Sequence, residues 1–124
     1  MNSYAPSPRT ALVVEDDQAL LDVLQEVLLD AGFETTAVTS GSPAMRLLAE
    51  RCFDVLVTDV SLPDTNGLVL CDTARELYHA QIVIVVLTGQ KIKRRGPTSL
   101  HLGADAFLSK PFTLDELIAL LERR

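Results

Sequence analysis

Four short apolar runs in the chain each end on a residue that a phosphate-accepting site would use. Ala11-Leu12-Val13-Val14 leads into Glu15-Asp16, and Val55-Leu56-Val57-Thr58 leads into Asp59. Ile82-Val83-Ile84-Val85-Val86-Leu87 leads into Thr88, and Phe107-Leu108-Ser109 into Lys110-Pro111. Two carboxylates about 4 Å apart repel by roughly 4 kcal/mol at an effective dielectric near 20. Gathered acids therefore strain a protein or take up protons unless a cation sits among them. A hard divalent ion with oxygen ligands suits such a group, and magnesium suits phosphate chemistry because it keeps water positions open. A carboxylate beside that ion can attack phosphorus and form an acyl phosphate. Lys110 can neutralise the incoming phosphate as a point charge, and the Thr88 hydroxyl can donate to one of its oxygens.

Each of these residues also has a plainer use. An acid after a strand is often only a helix N-cap, and Asp17 fits that role better than any ligand role. A lone strand-end Asp or Thr commonly bonds its own backbone, and Lys-Pro alone says little. The discriminating feature is their joint placement at four strand ends.

The elements between those runs explain how the ends come together. Leu20, Leu21, Leu24, Val27, Leu28 and Ala31 follow helical spacing, and Gly32 is a natural stop. Residues 33–38 read as a strand, and Ser40 or Ser42 can cap a helix that has Pro43 in its first turn. After the Val55 strand come a Pro63/Gly67 loop and a helix over about 68–78. Next come the Ile82 strand, a basic segment, a short helix near Thr98, the Ala106 strand and a helix from Thr113 onward. Thr113 and Glu116 form a capping box for that last helix. This alternation predicts an α/β fold with a parallel sheet covered on both faces, whose right-handed crossovers place all strand C-termini on one edge. Open sheets of that kind bind ligands in the crevice outside those C-termini.

Composition narrows the function classes. The 124 residues suit one domain with a real core, and 48% hydrophobic with 23% charged residues is ordinary globular composition. A formal charge of -6 argues against direct nucleic-acid binding by the domain. No stretch is long enough to span a membrane. Polar residues 1–9, with Pro6 and Pro8, are expected to be a loose tail preceding a domain over residues 10–124. Cys52 and Cys71 lack both disulfide-framework and metal-site spacing, and are expected to be reduced thiols on helices of a cytoplasmic protein. Neither a G-x-G-x-x-G nor a P-loop is present.

Over residues 10–121 the chain resembles the receiver domain of two-component response regulators. The matching segments are LVVEDD at 12–17, VLVTDVSLPDTNG at 55–67, VVLTG at 85–89 and GADAFLSKPF at 103–112. The resemblance implies a single doubly wound, flavodoxin-like sheet of five parallel strands in the order 2-1-3-4-5. It implies that Asp59 is the phosphoacceptor, that Glu15 and Asp16 are the acidic pair, and that Mg²⁺ is the cofactor. Asp16 and Asp59 would give that ion its carboxylates, and the Ser61 backbone carbonyl would complete the protein ligands. Thr88 and Lys110 would be the switch hydroxyl and phosphate-binding lysine, Gly67 and Pro111 structural, and Lys110-Pro111 cis. The implied partner is a sensor histidine kinase or phosphotransfer protein, acting on a signalling switch rather than an ordinary enzyme. The effector domain or output partner is not specified; a homodimer through the face of the fourth helix, fifth strand and fifth helix is compatible with the family.

The sequence departs from that pattern in places. Phe107 stands at the switch-aromatic position, where it can rotate inward without a hydroxyl to bond a partner, or simply pack in the core. Gly89 replaces the usual alanine after the switch hydroxyl. Ser61 and Gln90 occupy the two positions that tune dephosphorylation. Lys91-Ile92-Lys93-Arg94-Arg95 precedes Gly96-Pro97, which forbids a continuous fourth helix, so a shortened or displaced one is expected. That basic stretch reads as a solvated loop, an acidic-partner face, or a source of cations near the phosphate. Two rivals follow. One is a degenerate receiver acting as a phosphorylation-independent interaction module. The other is an aspartyl phosphohydrolase, which would want a second Asp where this chain has Ser61.

Overall fold

The computed structural model describes residues 9–89 and 103–122. Its elements are β1 (Arg9–Val14), α1 (Gln18–Asp30), β2 (Phe33–Val38), α2 (Gly41–Glu50), β3 (Val55–Asp59) and α3 (Gly67–Tyr78), followed by a 3-10 turn (His79–Gln81), β4 (Val83–Thr88), β5 (Ala106–Ser109) and α4 (Leu114–Leu121). The five strands form one parallel sheet in the order β2-β1-β3-β4-β5, as the resemblance implied. Gln90, the basic stretch, the short helix near Thr98 and the fourth helix altered by Gly96-Pro97 lie outside the described residues, as does the tail over 1–8. Arg9, expected in that tail, is the first residue of β1, where it pairs with Phe33 of β2 and its guanidinium stacks over the Phe33 ring.

Alternate strand residues face opposite sides of a sheet, so a strand apolar at every position needs cover on both. Ala11, Val13, Val55, Val57, Val85 and Leu87 meet Leu21, Leu24 and Leu28 of α1 and Leu117 and Leu121 of α4. Leu12, Val14, Leu56, Ile84 and Val86 meet Ala44 and Leu48 of α2 and Leu70, Cys71 and Ala74 of α3. Burial on both faces fixes the register of β1, β3 and β4, because a one-residue slip would exchange the two packed faces. Among the described residues, no helix is long and apolar enough to cross a membrane.

The helix ends follow local chemistry with one exception. Asp17 caps α1 by accepting the Ala19 and Leu20 amides, and Gly32 sits just past the helix at φ 97°. Thr113 and Glu116 form the predicted capping box of α4. Neither serine caps α2: Ser40 takes the N-cap position without a side-chain bond, and Asp64 instead accepts the Gly41 and Ser42 amides at 2.7 and 2.9 Å. A carboxylate offers two charge-assisted acceptors where a hydroxyl offers weaker ones. Of the two cysteines expected on helices, Cys71 is on one and Cys52 is not. Cys71 is buried in α3, its thiol pushed up to about 12 by that burial and then by the Asp72 charge. Cys52 is exposed and lies between α2 and β3, because the chain turns extended at Arg51 and carries Phe53 into the core.

Gly67 opens α3 where the helix presses on the end of β3. Its amide donates to the Val60 carbonyl at 2.7 Å, and a Cβ there would lie 1.8 Å from the Asp59 carbonyl oxygen. The Gly67→Ala variant should therefore lose about 3 kcal/mol of stability through forced backbone displacement. Urea unfolding followed by circular dichroism tests this, and an unchanged midpoint would contradict the packing.

Candidate functional site

Asp59 is the last residue of β3, and its register partner on β4 is Leu87, one residue before Thr88. The hydrophobic strand holds the Asp59 backbone in the core, so only the carboxylate reaches the sheet edge, and the residue is 6% exposed. Its Oδ1 accepts the Ser61 amide at 3.2 Å, and its Oδ2 accepts Lys110 Nζ at 3.0 Å.

Glu15 follows β1 immediately, and its amide extends the β1–β2 ladder by donating to the Val38 carbonyl at 3.1 Å. The side chain is buried, with Oε2 accepting the Asp17 amide at 3.1 Å and Oε1 accepting Lys110 Nζ at 3.0 Å. Asp16 is exposed at the rim. One carboxylate oxygen from each of Glu15, Asp16 and Asp59 lies within 4.8 Å of the others. Lys110 is placed by β5, which pairs with β4 through Thr88↔Ser109 and is pinned at its end by the Lys110 amide donating to the Thr88 carbonyl at 2.7 Å. The Lys110-Pro111 bond is cis, as expected.

One ammonium thus serves two buried carboxylates, with a third at the rim. Burial pushes the Glu15 carboxyl up, and the Asp59 charge adds to the rise; the Asp17 amide and Lys110 only partly offset it. Burial by itself would lower the Lys110 ammonium, but its hydrogen bonds to Glu15 and Asp59 outweigh that and raise it. Lys110 is held firmly charged, yet it does not balance the acids. An all-oxygen donor set with surplus negative charge fits a hard divalent cation.

The remaining predicted residues sit around this centre. Thr88 ends β4 half-buried on the same edge. Ser61 is exposed in the loop after β3, its amide on Asp59. Phe107 lies beside Val86 in the β4–β5 register and packs against the α2/α3 side of the core. Pro111 is exposed, next to Lys110. Two residues escaped sequence reasoning. Asp64 ties the loop after β3 to α2. Arg75 donates to the Gly103 and Ile82 carbonyls, each at 2.9 Å, and pairs with Asp105 at 2.6 Å, joining α3 to the start of β5. Asp64 reaches α2, and Arg75 reaches Gly103 and Asp105, across more than twenty residues of sequence, and an Asp beside Pro63 or an Arg in a helix carries no local sign of such a partner.

Comparison with known proteins places this geometry. The sequence model of the response regulator receiver domain matches residues 11–122. The transcriptional regulatory protein GltR of Pseudomonas aeruginosa is 36% identical over 112 residues, 90% of this chain and 46% of GltR. The DNA-binding transcriptional regulator NtrC of Escherichia coli K12 is 32% identical over 111 residues, 90% of this chain and 24% of NtrC. The chain spans less than half the length of these curated relatives. The non-phosphorylated receiver domain of HemR from Leptospira biflexa superposes with a TM-score of 0.82 at 32% identity, covering 93% of this chain and 92% of that one. With sheet order, strand-end acids and family match in agreement, the chain belongs to the response regulator receiver domains, a family of signalling modules.

Proposed function

We propose that the domain is a phosphorylation-operated switch that accepts a phosphoryl group on Asp59 from a histidine kinase or phosphotransfer protein in the cytoplasm. The observation that carries this reading is the meeting of Asp59, Glu15, Asp16 and Lys110 at one edge of the sheet. Glu15, Asp16, Asp59 and the Ser61 backbone carbonyl would hold Mg²⁺, which when bound supplies charge neutralisation to the transferring phosphoryl group. An Asp59 carboxylate oxygen attacks phosphorus, the P–N bond of the donor phosphohistidine breaks, and the imidazole leaves with that electron pair. Lys110 exchanges the Asp59 oxygen for a phosphate oxygen, and the Thr88 hydroxyl donates to another. Repacking of Thr88 and Phe107 then carries the change through the ends of β4 and β5 towards the surface. Hydrolysis of the acyl phosphate resets the switch, which makes the protein a self-resetting module rather than a turnover enzyme. The similarity to GltR and NtrC supports an output through a transcription effector.

The assembled acids and lysine support the switch over a phosphorylation-independent interaction module. Beryllofluoride with Mg²⁺ should shift the amide resonances of Asp59 and Thr88 in the wild type and leave the Asp59→Asn variant unchanged. A wild type that does not respond would reject the switch.

The charge arrangement sets a pH dependence. Replacing Lys110 by Met leaves the buried Glu15 without its cation, a loss of about 2 kcal/mol at neutral pH given partial solvent access to the lysine. Glu15 already has a raised pKa in the fold, and the substitution raises it further. A carboxyl that binds its proton more tightly when folded favours the fold at low pH, and loses that contribution as pH rises through its folded value. The difference in unfolding free energy between wild type and Lys110→Met should therefore shrink as pH falls from 7 towards 5. A difference independent of pH in denaturant titrations would refute this charge coupling.

A further inference from the structure

The loop between β3 and α3 closes on itself. Gly67 donates its amide to Val60, Leu62 donates to the Thr65 carbonyl at 3.3 Å, and Ser61 bridges Asn66. Those bonds set the loop's shape but not its placement against the neighbouring helix. Asp64 makes that link: its two carboxylate oxygens take the first two amides of α2, whose own N-cap Ser40 makes no side-chain bond. The approach is close enough to require glycine, since a Cβ at Gly41 would lie 2.3 Å from Thr65 Cγ2 and 3.2 Å from Asp64 Oδ1. The two amides also hold the Asp64 carboxyl below its usual range, so its charged form is the engaged one. At the base of the same loop, Ser61 donates to the Asp59 carboxylate.

We infer that Asp64 is a positioning residue: by bracing the tip of the acceptor loop on α2, it holds the Ser61 backbone at its base in place for Asp59 and the cation. The inference rests on the switch reading above. Its physical reason is that a ligand atom supplied by a loop backbone is only as well placed as the loop itself, and outer contacts that orient ligands commonly carry about tenfold or more in metal affinity. Because coupling free energies are reciprocal, cation binding at the base must also tighten the first turn of α2.

The experiment is Mg²⁺ titration by calorimetry on the full chain, at a temperature where each variant is folded by circular dichroism, together with amide spectra. Asp64→Ala should bind Mg²⁺ about tenfold more weakly than wild type. Asp64→Asn keeps one acceptor and should fall between them. Gly41→Ala, which wedges helix and loop apart without touching the carboxylate, should weaken binding in the same direction. Mg²⁺ should shift the Gly41 and Ser42 amides in the wild type, and this response should shrink in Asp64→Ala. If Asp64→Ala melts earlier yet binds Mg²⁺ with wild-type affinity, Asp64 is a helix cap only and the inference falls alone. If the wild type itself binds no Mg²⁺, the inference and the switch reading fall together.

Discussion

The shared ammonium of Lys110 is the contact on which the rest of the site depends. Glu15 and Asp59 are carboxylates brought to the edge of a dry core by β1 and β3, and both face Lys110 Nζ at 3.0 Å. Burying such charges is tolerated only when they are paired and hydrogen-bonded. Each acid also receives a backbone amide, from Asp17 and Ser61 respectively. The arrangement is stable enough to exist and still short of positive charge. That residual imbalance is what a hard cation, and after it a phosphoryl group under the proposed switch, would relieve.

The two halves of the site differ in how firmly they are built. Every residue of β3 is buried, so Asp59 stands on backbone locked from both faces. β5 is short, half-buried throughout, and paired with β4 alone among the described strands. Segments with fewer buried contacts open at lower free energy than core strands. Asp59, the proposed acceptor, thus sits on the more deeply buried half, while Lys110 and Phe107 sit on the less buried half. That division suits the proposed switch, in which one atom is held still and a surface moves in response.

Long-range polar braces complete the frame where packing alone would leave freedom. Arg75 ties the end of α3 to Asp105 at the entry to β5, and the Asp105 carboxylate also accepts the Ile84 amide at 2.7 Å. Asp64 ties the β3–α3 loop to α2. A half-exposed ion pair is worth little energetically, so the value of these bonds lies in the orientation they impose.

Much of this was legible in the chain itself. Uninterrupted aliphatic runs announce strands covered on both faces, helical spacing of leucines gives α1, and Asp17, Gly32 and Thr113-x-x-Glu116 mark helix ends, because all of these depend on neighbours within a few residues. The strand-end acids, Thr88 and Lys110 were recognisable because each closes a local apolar run and a parallel sheet must deliver its C-terminal ends to one edge. Only the tertiary structure decided that Lys110 bridges two particular carboxylates, that Asp64 rather than Ser40 caps α2, that Cys52 lies outside a helix, and that Gly67 is pressed against the Asp59 carbonyl. Those are contacts between residues distant in sequence, fixed by strand register and helix placement. Side-chain type and spacing determine which groups can meet; the packed backbone determines which pairs do.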